Sequence, residues 1–270
     1  MKNILIPTDF SDNAMKAAEY AFRLYSNDST FILLNSYEIP TSGATMLISI
    51  SDVLKKESIT QLEAEQTRLL EKHPELSDRI EMKSLLGSPN SAIKQASKNA
   101  DVVVMGTKGA SGLKELLIGS VASNVLSDVD CPVLAIPDAV STTTPKRILF
   151  AADDQCLSDG ILPEELVTIA NNAQAEVLIL NIVGEGELAH VGSNPDVNTH
   201  PIATFEGVSH SVHFIEDKDI NSGINKFMED NPVDMLAMIS RKNDLFSRLF
   251  GLGNTKSMVM HSNIPLLSFH

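Results

Sequence analysis

Apolar residues along this chain gather into two kinds of run that alternate. The first kind is short and continuous: NILIP within residues 2–7, FILLNSY within 30–37, VVVM within 101–106 and VLAI within 132–136, with a weaker stretch at 79–86. Unbroken Val/Ile/Leu runs of this size predict strands buried on both faces, as in a parallel sheet covered by helices on each side. Between them the apolar positions recur at helical spacing. Ala14, Ala17, Ala18, Ala21, Phe22 and Tyr25 follow Ser11 and Asp12, which can cap the helix they mark. A longer amphipathic segment runs from Leu47 to Lys72, a short one from Ser91 to Lys98, and Leu116, Val121, Val125 and Val129 mark a fourth. Strand and helix in alternation predict an α/β fold.

The pattern then repeats. KNILIPTDFSDNA from Lys2 returns as KRILFAADDQCLS from Lys146, which sets Asp153 at the place of Asp9. STFILLNSYE from Ser29 returns as AEVLILNIVG from Ala175, and residues 100–137 align without a gap on 233–270, with Pro132 on Pro265. Self-similarity on this scale is a tandem duplication. The boundaries it predicts are a first domain at 1–138, a linker at 139–145 and a second domain at 146–270. The joint PDAVSTTTPKR, Pro137 to Arg147, has a Ser/Thr run between prolines and no periodicity, as linkers do. One segment departs from the repeat: about Gly184 to Ser211 is shorter by roughly ten residues and rich in Gly, Pro, Asn and His, which predicts a truncated helix or a loop.

Candidate chemistry concentrates in VVVMGTKGASGLKELLIGSVASNVL, Val102 to Leu126, where the spacing is Gly106-x2-Gly109-x9-Gly119-Ser120. Gly106 ends the fourth strand, and Gly119-Ser120 open the fourth helix. Glycine lets backbone approach a ligand closely or take φ > 0. A helix N-terminus offers free N–H groups and the positive end of its dipole, and Ser120 adds a hydroxyl, so the stretch reads as a phosphate cradle. In a parallel sheet the loop after the first strand carries Asp9 to the same edge, where a carboxylate suits a ribose diol. The bland alternatives are tight packing for the glycines, a helix cap for Asp9 and a solvated charge for Lys108.

These residues resemble the universal stress protein family, in its nucleotide-binding branch, whose pattern is G-x2-G-x9-G-[ST] with an Asp after the first strand. The resemblance covers the chain as two copies and implies a Rossmann-like (adenine nucleotide alpha hydrolase-like) domain in each, a five-stranded parallel sheet of order 3-2-1-4-5 with helices on both faces. It implies that Pro7, Thr8 and Asp9 meet adenosine, that Ser36 and Met105 line the base and ribose pocket, and that Gly106, Lys108, Gly109, Gly119, Ser120, Val121 and Ala122 wrap the ribose and phosphates of ATP, with or without Mg²⁺. Family members commonly pair their last strands antiparallel between two copies. Here that implies an intramolecular pseudo-dimer, 131–137 against 264–269, within reach of a linker of about ten residues, and leaves room for a further homodimer.

The second copy loses the motif. Gly106 becomes Ile239, Gly109 becomes Lys242, Gly119 becomes Leu252 and Ser120 becomes Gly253, so side chains stand where backbone had to approach phosphate. GLGNTKS at 251–257 lacks the glycine spacing of a P-loop. Arg241, Lys242 and Arg248 gather near the vacated site and read as an anion site or a solvated loop. Six of the seven histidines lie in this half, and His210 and His213 alone have a spacing that invites a metal, without partners nearby in sequence; no metal site is expected.

Charge and composition narrow the partners. A net charge of −14 over 270 residues with no Lys/Arg-rich run speaks against nucleic acid. No apolar run approaches a membrane span, and the N-terminus is broken by Pro7 and Asp9 before a signal core could form. Cys131 and Cys156 have no CxxC spacing and suit a reducing compartment, so the expected location is the cytoplasm. A hydrolase needs a base for water, and the motif supplies no carboxylate beyond Asp9. The expectation is an ATP-binding stress-response or signalling protein with at most slow hydrolysis; the alternatives are an ATP hydrolase or phosphotransferase using both domains, and a nucleotide-independent interaction module.

Overall fold

Continuous apolar runs bury as central strands because helices cover both of their faces. A computed structural model describes residues 1–25, 28–39, 47–109, 119–140, 143–152, 163–184, 208–239 and 263–269, and the chain divides into two units, Met1–Asp138 and Ala139–His270. The first unit comprises β1 (Lys2–Pro7), α1 (Asp12–Leu24), β2 (Ser29–Tyr37), α2 (Leu47–Lys72), a 3-10 turn at Pro74–Leu76, β3 (Ile80–Leu86), α3 (Pro89–Ser97), β4 (Val102–Gly106), α4 (Ser120–Asp128) and β5 (Val133–Ile136). Its strands lie in the order β3-β2-β1-β4-β5, and all neighbours are parallel. Helices α1 and α2 pack on one face and α3 and α4 on the other. In consequence Ile4, Leu5 and Ile6 of the central strand are at most 1% exposed.

Local chemistry sets the helix starts. Ser11 caps α1, its Oγ accepting from the Ala14 N–H at 3.2 Å. Ala17, Ala18 and Ala21 are fully buried, and their small side chains let α1 lie close over β4 and β5. Helix α3 begins at Pro89, before the expected Ser91, because Ser88 caps it and Pro89 fits a first position that needs no N–H donor. Helix α4 is described from Ser120; the expected Leu116 lies outside the described residues.

The second unit comprises β6 (Arg147–Ala152), α5 (Glu164–Ala173), β7 (Glu176–Val183), β8 (His210–Glu216), α6 (Ile220–Asp230), β9 (Met235–Ile239) and β10 (Leu266–Phe269). Its order is β10-β9-β6-β7-β8, again all parallel. The registers coincide with the sequence repeat. Ile4 pairs with Phe31 and Val102, and their counterparts do the same, Ile148 with Val177 and Met235. Each unit is therefore the expected α/β fold of order 3-2-1-4-5, and its switch point falls between the first and fourth strands. The segment expected to be shortened, about 184–211, lies mostly outside the described residues.

Candidate functional site

At the switch point of the first unit, strand ends diverge and open a cleft of about 360 Å³, within the size range of small-molecule sites. Pro7 from β1, Ser36 from β2, and Met105 and Gly106 from β4 bring their carboxyl ends to it. Thr8 and Asp9 follow β1, Lys108 and Gly109 follow β4, and Gly119 to Ala122 enter from the start of α4. All twelve candidate residues of the first copy line this one cleft. Sequence reasoning missed Leu34 and Asn35 of β2, Thr107, and the wall that α3 supplies through Pro89, Ala92 and Ile93. The signal for α3 was its amphipathic pattern, which places Ala92, Ile93 and Ala96 inward; only the fold shows that this face reaches the cleft.

The turn that presents Asp9 is built by its own side chains. Thr8 Oγ1 accepts from the Phe10 N–H at 2.9 Å, and Asp9 Oδ1 accepts from the Ser11 N–H at 3.1 Å. Phe10 sits in the left-handed region with φ 65, where a bulky residue is strained unless its surroundings hold it. Asp9 is exposed and does not cap α1, which Ser11 does. Opposite it, Gly119 caps α4 through backbone alone, and the Ser120, Val121 and Ala122 N–H groups have no acceptor within that helix. An anion meets both those donors and the positive end of the helix there. Lys108 and Asp9 are the charged side chains among the described lining residues.

The glycines answer to the protein's own atoms as well as to space. Among the described glycines it is Gly87 that has a left-handed backbone, φ 133, while the motif glycines do not require φ > 0. A Cβ on Gly106 would lie 2.5 Å from Asn13 Oδ1, one on Gly109 would lie 2.8 Å from Asp9 Oδ2, and one on Gly119 would lie 3.1 Å from the Thr107 carbonyl oxygen. Asn13 is buried and cannot yield: its Nδ2 donates to the Ile136 carbonyl at 3.2 Å, and its Oδ1 accepts from the Lys108 N–H at 2.9 Å. One side chain thereby ties the start of α1 to the β4 loop and the end of β5. The tight-packing alternative thus has a physical basis beside the close approach to a ligand: the glycine loop packs on Asn13 and Asp9, which brings it against the carboxylate.

From the cleft wall a half-buried polar chain runs to α2. Asn35 Nδ2 donates to the Thr8 carbonyl at 2.9 Å, the Ser58 hydroxyl donates to Asn35 Oδ1 at 2.7 Å, and Ser84 Oγ is 2.8 Å from Ser58 Oγ. Glu65 stands beside it on α2, 2% exposed. Burial pushes its pKa up, the Thr8 hydroxyl and then the Arg68 charge counter that, and the Asp9 charge adds to the rise. Thr8 approaches the carboxylate without completing a bond, for neither Glu65 oxygen has a hydrogen-bond partner among the described residues.

A profile of the universal stress protein family matches residues 1–137. The chain belongs to that family. Universal stress protein MJ0531 of Methanocaldococcus jannaschii is 33% identical over 144 residues, which cover 50% of this chain and 81% of that protein. Universal stress protein Slr1230 of Synechocystis aligns at 23% identity over 100% of both chains. A solved universal stress protein of Archaeoglobus fulgidus superposes with a TM-score of 0.66 at 22% identity, over 99% of this chain and 96% of that one, and so shares the fold.

The second unit of this universal stress protein places Ile239 at the end of β9, 4% exposed, where Gly106 ends β4. Asp153, Lys242, Leu252 and Gly253, and the Arg241 and Arg248 charges, lie outside the described residues. Asn181 takes the place of Asn35 by the repeat; it is 2% exposed, and its Oδ1 finds no partner among the described residues. His210 and His213 fall three apart on strand β8, so alternation sends them to opposite faces and they cannot share an ion. His210 Nδ1 lies 3.0 Å from the Val208 carbonyl oxygen, and His213 Nε2 lies 2.9 Å from Ser211 Oγ. Burial pushes the Cys131 thiol up to about 11, which leaves it a poor nucleophile at neutral pH. Among the described residues no helix is long and apolar enough to cross a membrane.

Proposed function

We propose that the first unit binds one adenine nucleotide, ATP with or without Mg²⁺, and that the protein acts in stress response or signalling through that occupancy, with hydrolysis slow or absent. The observation that carries this reading is the meeting of three chemistries in one cleft: the exposed Asp9 carboxylate, the N-terminus of α4 with Gly119 and Ser120, and an apolar wall of Leu34, Ile93 and Met105. A carboxylate suits a ribose diol, the helix terminus suits phosphate, and the apolar wall suits a purine face. The lining holds no second carboxylate or histidine among the described residues, so nothing there is placed to activate water. Binding that treats ground and transition states alike gives occupancy without turnover.

The test is nucleotide content. Protein purified without added ligand, denatured and resolved by anion exchange is expected to release about one ATP per chain. Two per chain would show that Ile239 and its neighbours do not block the second unit. None, even after ATP is restored, would overturn the reading in favour of an interaction module, and ADP would favour a hydrolase.

The same reading pairs the terminal strands of the two units, 131–137 with 264–269, as an intramolecular pseudo-dimer in the cytoplasm. With Cys131 and Cys156 replaced by Ser, cysteine pairs introduced along the two strands are expected to form disulfides under mild oxidation at alternating positions. Uniformly absent crosslinks would sink the pairing.

A further inference from the structure

Helix α2 turns the face Ser58, Leu62, Glu65 and Leu69 inward, each at most 4% exposed, and one of the four is an acid. A carboxylate so enclosed is costly unless it is fully bonded or protonated, and Glu65 has no completed hydrogen bond among the described residues. Its neighbour is Thr8, whose Oγ1 accepts from the Phe10 N–H and so holds the strained residue after Asp9 in its left-handed conformation. The path from acid to cleft is therefore Glu65, Thr8, the Phe10 turn, Asp9. The charged groups that reach Glu65 are Arg68 on its own helix and Asp9 from the turn. Strands β2 and β3, packed on this face of α2, present the neutral Asn35 and Ser84, and alternation from Ser84 sends Glu81 and Lys83 to the far face of β3. Glu19 of α1 is paired with Lys72, two turns further along α2.

We propose that Glu65 is a proton-coupled residue behind the cleft: it lies enclosed against Thr8 at the base of the Asp9 turn, and binding of an anionic nucleotide takes up a proton at its carboxyl. This rests on the nucleotide reading above. The sign follows from charge alone. A phosphate group entering the cleft adds negative charge near an enclosed carboxylate, which favours its neutral form, so by linkage the neutral form favours the ligand. Affinity rises as pH falls through the titration of Glu65. The raised pKa of Glu65 moves this window above the ordinary carboxylate range.

The experiment titrates ATP into the full chain by calorimetry between pH 5 and 8, in buffers of differing ionisation enthalpy, for wild type and Glu65→Gln. The variant mimics the neutral acid, and the difference between proteins cancels the titration of ATP itself. Wild type is expected to lose about three- to tenfold more affinity than the variant across that range, the scale of a pKa moved by about half a unit to one unit, and to take up more protons in the window. Identical pH profiles and proton counts, with binding intact, would overturn the role of Glu65 and leave the nucleotide reading standing; absence of ATP binding in wild type would overturn both. Carboxyl NMR of wild type gives a readout that does not depend on the variant folding. The Glu65 resonance is expected to titrate above the ordinary range and to move higher with ATP bound, and a midpoint that ATP leaves unmoved would overturn the coupling.

Discussion

Asp9→Ala is expected to weaken ATP binding by the first unit about 10- to 100-fold while leaving the thermal unfolding midpoint of the ligand-free protein within a few degrees. The binding effect follows from the hydrogen bonds an ionised carboxylate makes to a ribose diol, worth about 1.5–3 kcal/mol when lost. The small stability effect follows from exposure: Asp9 projects into the cleft, and within the turn its Oδ1 accepts from the Ser11 N–H. Asp9→Asn keeps an acceptor for that N–H and removes the charge, so it should fall between the two proteins. Calorimetric titration beside a thermal melt checks both. Unchanged affinity in Asp9→Ala would remove the carboxylate from the site, and a collapsed melt would make it a structural residue.

Gly106→Ala and Gly109→Ala are expected to fail in different ways, because different atoms stand where their Cβ would go. At Gly106 the new carbon meets Asn13 Oδ1 at 2.5 Å and the Asn13 backbone carbon at 3.1 Å. Asn13 is tethered at both ends, to Ile136 and Lys108, so the clash breaks buried bonds or shifts α1. A loss of about 2–4 kcal/mol in denaturant unfolding is expected, and ATP binding should fall with it. At Gly109 the new carbon meets Asp9 Oδ2 at 2.8 Å, the far end of a flexible and exposed side chain. Stability should change by less than about 1 kcal/mol, while displacement of the Asp9 carboxylate lowers ATP affinity. The reverse order of stability would show that Asn13 yields and that the Gly109 loop is the rigid one.

The fold was legible because two periodicities agree along the whole chain. Continuous Val/Ile/Leu runs such as ILI at 4–6 and VVV at 102–104 can be accommodated only where both faces are covered, and the internal repeat fixes which strands correspond. The pairing of Ile148 with Val177 and Met235 follows the repeat residue by residue. The motif was legible because Gly106, Gly109, Gly119 and Ser120 lie within one stretch of chain. Less legible were Asn35, a polar residue in an apolar strand, and Glu65, an acid between Leu62 and Leu69. Both could be seen as exceptions to their patterns, but an exception in the pattern does not say what stands opposite.

The amino-acid sequence by itself determined the strands, the tandem repeat and the residues gathered at one sheet edge, since local spacing and burial on two faces dictate these. Only the tertiary structure decided why the glycines are needed and what lies behind Asp9. Asn13 and Gly106 are far apart in the chain, as are Thr8 and Glu65, and whether a Cβ collides or a carboxylate is enclosed depends on distances of a few ångströms between elements that no periodicity encodes.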